Sequence, residues 1–152
     1  MSIAIREANP TDVSAVAELF DLYRQFYEQA SNLPLAQQFI VDRLSNQDSV
    51  ILVAESASSG LLGFSQLYPS LCSVEAKPIY VLYDLFVLPS ARKAGVGRLL
   101  LLAAEAKATA EGKARMDLTT AHTNRAAQSL YESLGWIRDE VFVAYTRPIN
   151  QL

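Results

Sequence analysis

Arg92, Lys93, Gly95, Gly97 and Arg98 fall within one short stretch, R-K-A-G-V-G-R, between an apolar run at 80–88 and a Leu/Ala-rich stretch at 96–110. Pro89 ends the apolar run. A strand, a loop of small and basic residues and a helix make a device for holding phosphate. Backbone N–H groups of the loop turn inward, and the first helical turn adds N–H groups that have no intrahelical acceptor. The helix dipole puts partial positive charge at the same point. Without a Cβ, Gly95 and Gly97 let the backbone curl close to an anion. Arg92, Lys93 and Arg98 surround the loop with positive charge, in a chain whose net charge is −3. The P-loop pattern requires Gly-Lys-Ser/Thr, which does not occur here. The dinucleotide fingerprint G-x-G-x-x-G also fails, because Leu100 stands where its third glycine belongs.

A third pattern, Q/R-x-x-G-x-G/A after a strand ending in V-x-P, fits Val87-Leu88-Pro89 and Arg92-x-x-Gly95-x-Gly97 at every position. The stretch resembles motif A of the GNAT superfamily of N-acetyltransferases. A second segment, Asn124 to Trp136 (N-R-A-A-Q-S-L-Y-E-S-L-G-W), resembles that family's N-x-x-A-x-x-x-Y-x-x-x-G-F/W signature, with Asn124, Ala127, Tyr131, Gly135 and Trp136 in register. The resemblance implies a cofactor, acetyl-coenzyme A. Its pyrophosphate would be held by Arg92, Lys93, Ala94, Gly95, Val96, Gly97 and Arg98, and its pantetheine arm by main-chain atoms of Leu85, Phe86 and Val87. Asn124 would bond the same arm, and Tyr131 would lie beside the thioester sulfur. Asn124 and Tyr131 are seven residues apart, nearly two helical turns, and so share a helix face. A tyrosine on that face is also an ordinary packing residue.

The family's reaction is direct transfer: an amine attacks the thioester in a ternary complex. The enzyme positions the reactants, removes a proton from the ammonium and returns one to the thiolate. Tyr131 is the candidate acid. Many relatives carry a glutamate two residues before the position of Leu85, where this chain has Tyr83. Asp84, the only carboxylate within 80–88, is the candidate base. It would act through water, serve as a counter-charge to the amine, or be a structural acceptor. Strand periodicity puts Asp84 and Tyr83 on opposite faces unless a bulge shifts the parity. His122 is a weaker candidate base in a loop.

The positioning elements follow from periodicity. Residues 2–7 alternate apolar and polar and read as an edge strand. An Asn-Pro turn with Thr11 or Asp12 as cap opens a helix, in which Val13, Val16, Ala17, Phe20, Arg24 and Tyr27 recur at helical spacing. A second helix spans about 35–44. Residues 49–55 form a β-branched, buried strand and 61–68 its hairpin partner, ended by Pro69. Residues 70–79, which include Cys72, read as an irregular link. The central strand is 80–88, with helix 96–110, strand 115–120, helix 125–134 and a last strand at 141–146. The predicted fold is α/β in the broad sense, a central mixed sheet with helices on both faces, matching the element order of the GNAT fold across a single domain of 1–152.

Apolar residues make up 51% of the chain and charged residues 19%, a globular composition. No apolar run is long enough to span a bilayer, no signal pattern opens the chain, and no basic run suggests nucleic acid. With one cysteine (Cys72) and one histidine (His122), no zinc cluster and no internal disulfide is expected. The expectation is a cytoplasmic protein that uses no metal. Its acidic balance favours a cationic partner, a small-molecule amine. Tyr23, Tyr27, Gln66, Tyr68 and Tyr145 are candidate acceptor-lining residues. The apolar 141–146 segment permits a homodimer. Two alternatives stand beside the small-molecule enzyme: transfer to a protein terminus or lysine, and a non-catalytic acyl-CoA sensor.

Overall fold

The computed structural model describes residues 2–150. Contacts divide the chain into two units, one running to Thr119 and the other starting at Thr120. The first unit contains β1 (Ile3–Glu7), α1 (Val13–Phe26), α2 (Leu33–Asn46), β2 (Val50–Ser56), β3 (Gly60–Cys72), β4 (Lys77–Val87), α3 (Val96–Ala110) and β5 (Met116–Asp117). Its sheet has the order β1-β2-β3-β4-β5. The first four strands are antiparallel neighbours, and β5 joins β4 in parallel. This is the expected mixed sheet.

Alternation along β2 shows how both faces become covered. Ile51 and Val53 pack with Val16, Ala17, Leu19 and Phe20 of α1, Ala36 and Ile40 of α2, and Phe64 and Phe86 of the neighbouring strands. Leu52 and Ala54 are equally buried but point the other way, toward the face on which α3 lies across β1 to β4. There α3 buries Val96, Leu100, Leu101 and Ala104, residues spaced to share one helical face. The side chains of β4 above α1 are therefore set by the α1/α2 core, and the loop before α3 by the opposite core.

The entry to α1 differs from expectation. Asn9, rather than Thr11 or Asp12, caps a short 3-10 turn (Pro10–Asp12) and accepts from Thr11 N, while Asp12 Oδ2 accepts from Asn9 N at 2.8 Å. Asp12 also receives Arg6 at 2.7 and 2.9 Å, and Arg6 reaches Glu55 at 3.0 Å. The α2 helix starts earlier than expected, because Asn32 caps it and Pro34 fits the first turn, where no N–H is needed.

Pro69 does not end β3, which runs on to Cys72 opposite a β4 that starts at Lys77. The β2–β3 ladder stops at Val50↔Leu67, so β3 has an open edge beyond it, and a proline is tolerated on such an edge. Residues 70–79 are thus the end of a long hairpin. The 115–120 strand contracts to Met116–Asp117, paired with Tyr80 and Val81. In the second unit, α4 (Arg125–Ser133) ends at Gly135, whose φ is +92°. The predicted strand at 141–146 is not a strand: its alternating apolar residues Val141, Phe142, Val143 and Tyr145 are exposed and have no ladder partner among the described residues. Alternation gives strand propensity, but a strand forms only where another backbone pairs with it.

One glycine sets the spacing of β3 and β4 near the site. A Cβ on Gly63 would stand 2.6 Å from Phe86 O and 3.2 Å from Val87 Cα, and backbone atoms cannot step aside as a side chain can. Gly63→Ala should destabilise the fold by roughly 1–3 kcal/mol, as overpacking does. A thermal melt checks this, and an unchanged melting temperature would mean that the two strands can separate freely there.

Candidate active site

The ladder between β3 and β4 slips by one residue in the middle of the sheet. Gln66 pairs with Asp84 and Leu67 with Leu82, leaving Tyr83 without an opposite number. That is a β-bulge on β4, and it settles the parity question. Tyr83 and Asp84 are both turned toward α1: the Tyr83 ring meets Tyr68 at 5.7 Å, and Asp84 meets Gln66 and the Tyr23 hydroxyl.

Asp84 is 2% exposed. Gln66 Nε2 donates to its Oδ2 at 2.5 Å, and the orientation of that amide is fixed by Ser49 Oγ donating to Gln66 Oε1 at 2.8 Å. Tyr23 OH donates to the Tyr83 carbonyl at 3.0 Å and lies against the same carboxyl. Burial pushes the Asp84 carboxyl up from the ordinary 3.8 to about 6, against the restraining bonds from Gln66 and Tyr23. Around it, the Tyr23, Tyr27 and Tyr68 hydroxyls are all pushed up, by burial first and then by the Asp84 charge, so the phenols stay neutral. The structure therefore brings together four of the five predicted acceptor-lining residues, Tyr23, Tyr27, Gln66 and Tyr68. The fifth, Tyr145, belongs to the second unit, where it is exposed. Two members escape sequence reasoning. The sequence marks Tyr83 only as a missing glutamate, and Ser49 only as the start of a strand.

Past the bulge, β4 leads straight into the glycine loop. Leu88 N donates to Leu62 O at 2.8 Å, so Leu88 faces β3, as do Phe86 and Asp84 by alternation. The N–H and C=O groups of Leu85 and Val87 point the other way. β5 pairs with β4 only at Tyr80 and Val81 and so does not extend beside them. Arg92 Nε donates to Val87 O at 3.0 Å, and its guanidinium lies over the Phe86 ring at 5.6 Å. Arg92 thus anchors the loop to the strand end and still presents its terminal nitrogens. Lys93 (φ +68°) and Gly95 (φ +81°) both adopt the left-handed region, curling the exposed residues 92–95 around the start of α3. At Gly95 the requirement is conformation rather than room, because a Cβ there would meet nothing within 4 Å. Val96 is buried beneath the loop, and Gly97 and Arg98 complete the first turn. Leu99 N is bonded to Gly95 O at 3.1 Å, which leaves the N–H groups of Val96, Gly97 and Arg98 ahead of the helical pattern.

In the second unit, Asn124 is the N-cap of α4, its Oδ1 accepting from Ala127 N at 3.2 Å. Asn124 thus precedes the helix, in keeping with the expected start at 125, and the face it shares with Tyr131 begins at a cap. Tyr131 packs at 6.0 Å from the Trp136 ring, and its carbonyl accepts from Trp136 N. His122, in the turn before α4, offers its carbonyl to Gln128 Nε2 at 3.1 Å. Among the described residues, no group of three His, Cys, Asp or Glu side chains is placed to hold a metal, and no helix is long and apolar enough to cross a membrane.

The profile of the acetyltransferase (GNAT) family matches residues 16–136, from α1 to the end of the second signature. This chain belongs to the acetyltransferase (GNAT) family. Its enzyme class is N-acetyltransferase. It is 49% identical over 93% of its length to the uncharacterised N-acetyltransferase YhfO of Bacillus subtilis (strain 168), covering 94% of that protein. A crystal structure of a probable acetyltransferase superposes over 100% of both chains with a TM-score of 0.90 and 36% identity. The aminoglycoside acetyltransferase AAC(6')-Iy, solved with the bisubstrate analogue CoA-S-monomethyl-acetylneamine, shares the fold at a TM-score of 0.80 and 22% identity, over 98% of this GNAT chain and 100% of its own.

The Gln66 amide is the main local restraint on the buried charge. Replacing it by leucine removes a charge-assisted hydrogen bond worth roughly 1.5–3 kcal/mol. In Gln66→Leu, the Asp84 carboxyl should titrate about one pH unit or more above its wild-type midpoint near 6. Carboxyl 13C chemical shifts followed across pH read this directly. An unmoved midpoint would mean that Gln66 does not hold the charge.

Proposed function

We propose that this N-acetyltransferase moves the acetyl group of acetyl-CoA onto the primary amine of a small molecule, with Asp84 as its amine-binding base. The observation that carries the reading is a buried carboxyl at a β4 bulge, on the strand whose open backbone edge runs into the glycine loop at the start of α3. The CoA-linked analogue bound by AAC(6')-Iy supports the choice of donor. The local chemistry fits that donor. The N–H groups of Val96, Gly97 and Arg98, with Lys93 and Arg92, suit a pyrophosphate, and the outward amides of Leu85 and Val87 suit the amide-bearing pantetheine arm.

Acetyl-CoA, when bound, supplies an activated acyl group on a thioester, so no nucleophilic side chain is needed. Asp84 attracts the ammonium and takes its proton. Direct transfer from an alkylammonium of pKa about 10.4 to a carboxyl near 6 is uphill by roughly 6 kcal/mol in water. That figure already includes the raised Asp84 value, and desolvation of the ammonium among the tyrosine rings narrows the gap. Ser49 and Gln66 keep the carboxyl aimed. Tyr131 donates a proton to the departing sulfur, a role supported by its place in the second signature. Asn124, while capping α4, retains its amide N–H groups as donors for the pantetheine arm.

The reading is tested with acetyl-CoA and a panel of amines, free thiol being the readout. Wild-type kcat/KM should climb with pH along a limb near pH 6, where Asp84 ionises. Asp84→Asn should lose at least a hundredfold in turnover and lose that limb. Its stability should move in the opposite direction. The folded-state value lies above the ordinary one, so this carboxyl's favourable contribution is present below about pH 4 and is lost as pH rises through about 6. At pH 8 the neutral variant avoids a penalty on the order of 3 kcal/mol and should melt several degrees higher. A variant that melts lower and is fully active would assign Asp84 a structural role.

Tyr131→Phe keeps the ring against Trp136 and removes one hydroxyl. A fall in kcat of roughly 10²–10⁴-fold, with CoA affinity little changed, is the expectation for a lost general acid. Retention of more than about a third of kcat, with chemistry shown to be rate-limiting, would mean that the thiolate leaves unaided.

A further inference from the structure

The side chains around Asp84 also say what kind of amine fits, provided the acetyl-transfer reading holds. Four tyrosines from three elements meet there: Tyr23 and Tyr27 from the end of α1, Tyr68 from β3 and Tyr83 from the bulge of β4. They are joined in pairs, with Tyr23 and Tyr27 edge to face at 5.2 Å and Tyr68 and Tyr83 edge to face at 5.7 Å. The bond from Tyr23 OH to Tyr83 O at 3.0 Å ties the pairs together. The inner two are partly covered, but Tyr27 is 46% and Tyr83 67% exposed, so two aromatic rings stand at the surface over one buried carboxyl.

The charges are equally specific. The carboxylates whose fields reach these phenols are Asp84 at all three of Tyr23, Tyr27 and Tyr68, and Asp48 at Tyr68 alone. Arg43 Nε holds Asp48 at 2.8 Å, so that charge is already answered. The phenols remain neutral. The cluster thus offers one negative charge and several ring faces. Ring faces attract a cation through their quadrupole and also pack against flat apolar surface. A molecule with several ammonium groups would have to bring the extra ones against neutral rings without carboxylate partners, and a desolvated unpaired charge is strongly disfavoured.

We propose that the acceptor is a monoamine: one primary ammonium that meets Asp84, on a flat apolar body that lies against Tyr27 and Tyr83. The reaction is R–NH3+ plus acetyl thioester giving R–NH–CO–CH3 plus thiol and a proton. The nitrogen–carbonyl bond forms and the carbon–sulfur bond breaks. Of the two protons lost by nitrogen, one leaves through Asp84 to solvent and the other ends on sulfur. This acceptor class departs from the acetylneamine analogue bound by the AAC(6')-Iy neighbour, which shares this fold at 22% identity.

The test compares kcat/KM, read as free thiol, for 2-phenylethylamine and tryptamine against spermidine and neamine on the wild-type enzyme, then repeats it on Tyr83→Ala. The flat monoamines should exceed both polycations by at least tenfold. Tyr83→Ala should cost them tenfold or more, mainly through KM, and cost ethylamine less, since ethylamine has no body to lay on a ring. Tyr83 is largely exposed, so the variant should fold, and its melting curve verifies that. Where it does not fold, Tyr27→Ala serves the same comparison. Thiol release led by spermidine or neamine, or an equal loss for ethylamine and 2-phenylethylamine, overturns the monoamine inference and leaves acetyl transfer standing. No thiol from any amine overturns the transfer reading, and this inference with it.

Discussion

Keeping a carboxyl out of water is the demand around which this sheet is organised. Asp84 sits beneath α1, and an isolated charge there would be strongly disfavoured. Three features reduce the penalty. Gln66 donates to the charge, Ser49 keeps the Gln66 amide the right way round, and Tyr23 brings its hydroxyl from the facing helix. The contacts made by β4 depend on an irregularity in its ladder with β3. The extra residue at Tyr83 shifts the register so that Gln66 lies opposite Asp84, and it aims the Tyr83 carbonyl at Tyr23. The residual penalty appears as a carboxyl held near pH 6, within the range where a proton acceptor is useful.

The bulge also shapes the other half of the site. Bulges increase local twist. The pairing of β4 with β5 ends at Val81, two residues before Tyr83, and the outward amides of Leu85 and Val87 follow beyond it. A buried carboxyl on one face of β4 and an open backbone edge at its side thus flank one irregularity, and the strand that carries both ends at the glycine loop.

Most of this framework is legible in the sequence because it rests on local signals. The glycine loop, the boundaries of α3 and α4 and the β-branched run of β2 are set by residue type and short-range spacing, and they stand where expected within a residue or two. The entry to α1 and the start of α2 are local misses, and the remaining failures involve a partner. Pro69 reads as a strand end because nothing near it in the sequence shows that β2 has already stopped beside it. Residues 115–120 alternate well enough for a strand, but only two of them find a parallel neighbour. Residues 141–146 have the right alternation and no ladder partner among the described residues. The parity of Asp84 depends on a bulge, which is a relation between two strands and leaves no mark in either one. Ser49 carries no signal at all, since a serine at a strand's start gains meaning only from the glutamine across the ladder.

The hold of Arg92 on the end of β4 has a consequence for binding kinetics. A free arginine loses considerable rotamer entropy when it clamps an anion, on the order of 0.5–1.5 kcal/mol for a long side chain. Here the Nε bond to Val87 O and the Phe86 ring beneath the guanidinium already fix the side chain. An anion settling on the loop thus meets a donor that is ordered beforehand. Such preorganisation acts chiefly on residence time, because the penalty it removes would otherwise be returned on every dissociation. The same tether makes the loop report on the strand. Any shift of β4 that lengthens the Val87–Arg92 bond would free the Arg92 side chain, so the strand end and the loop are mechanically joined through one side chain.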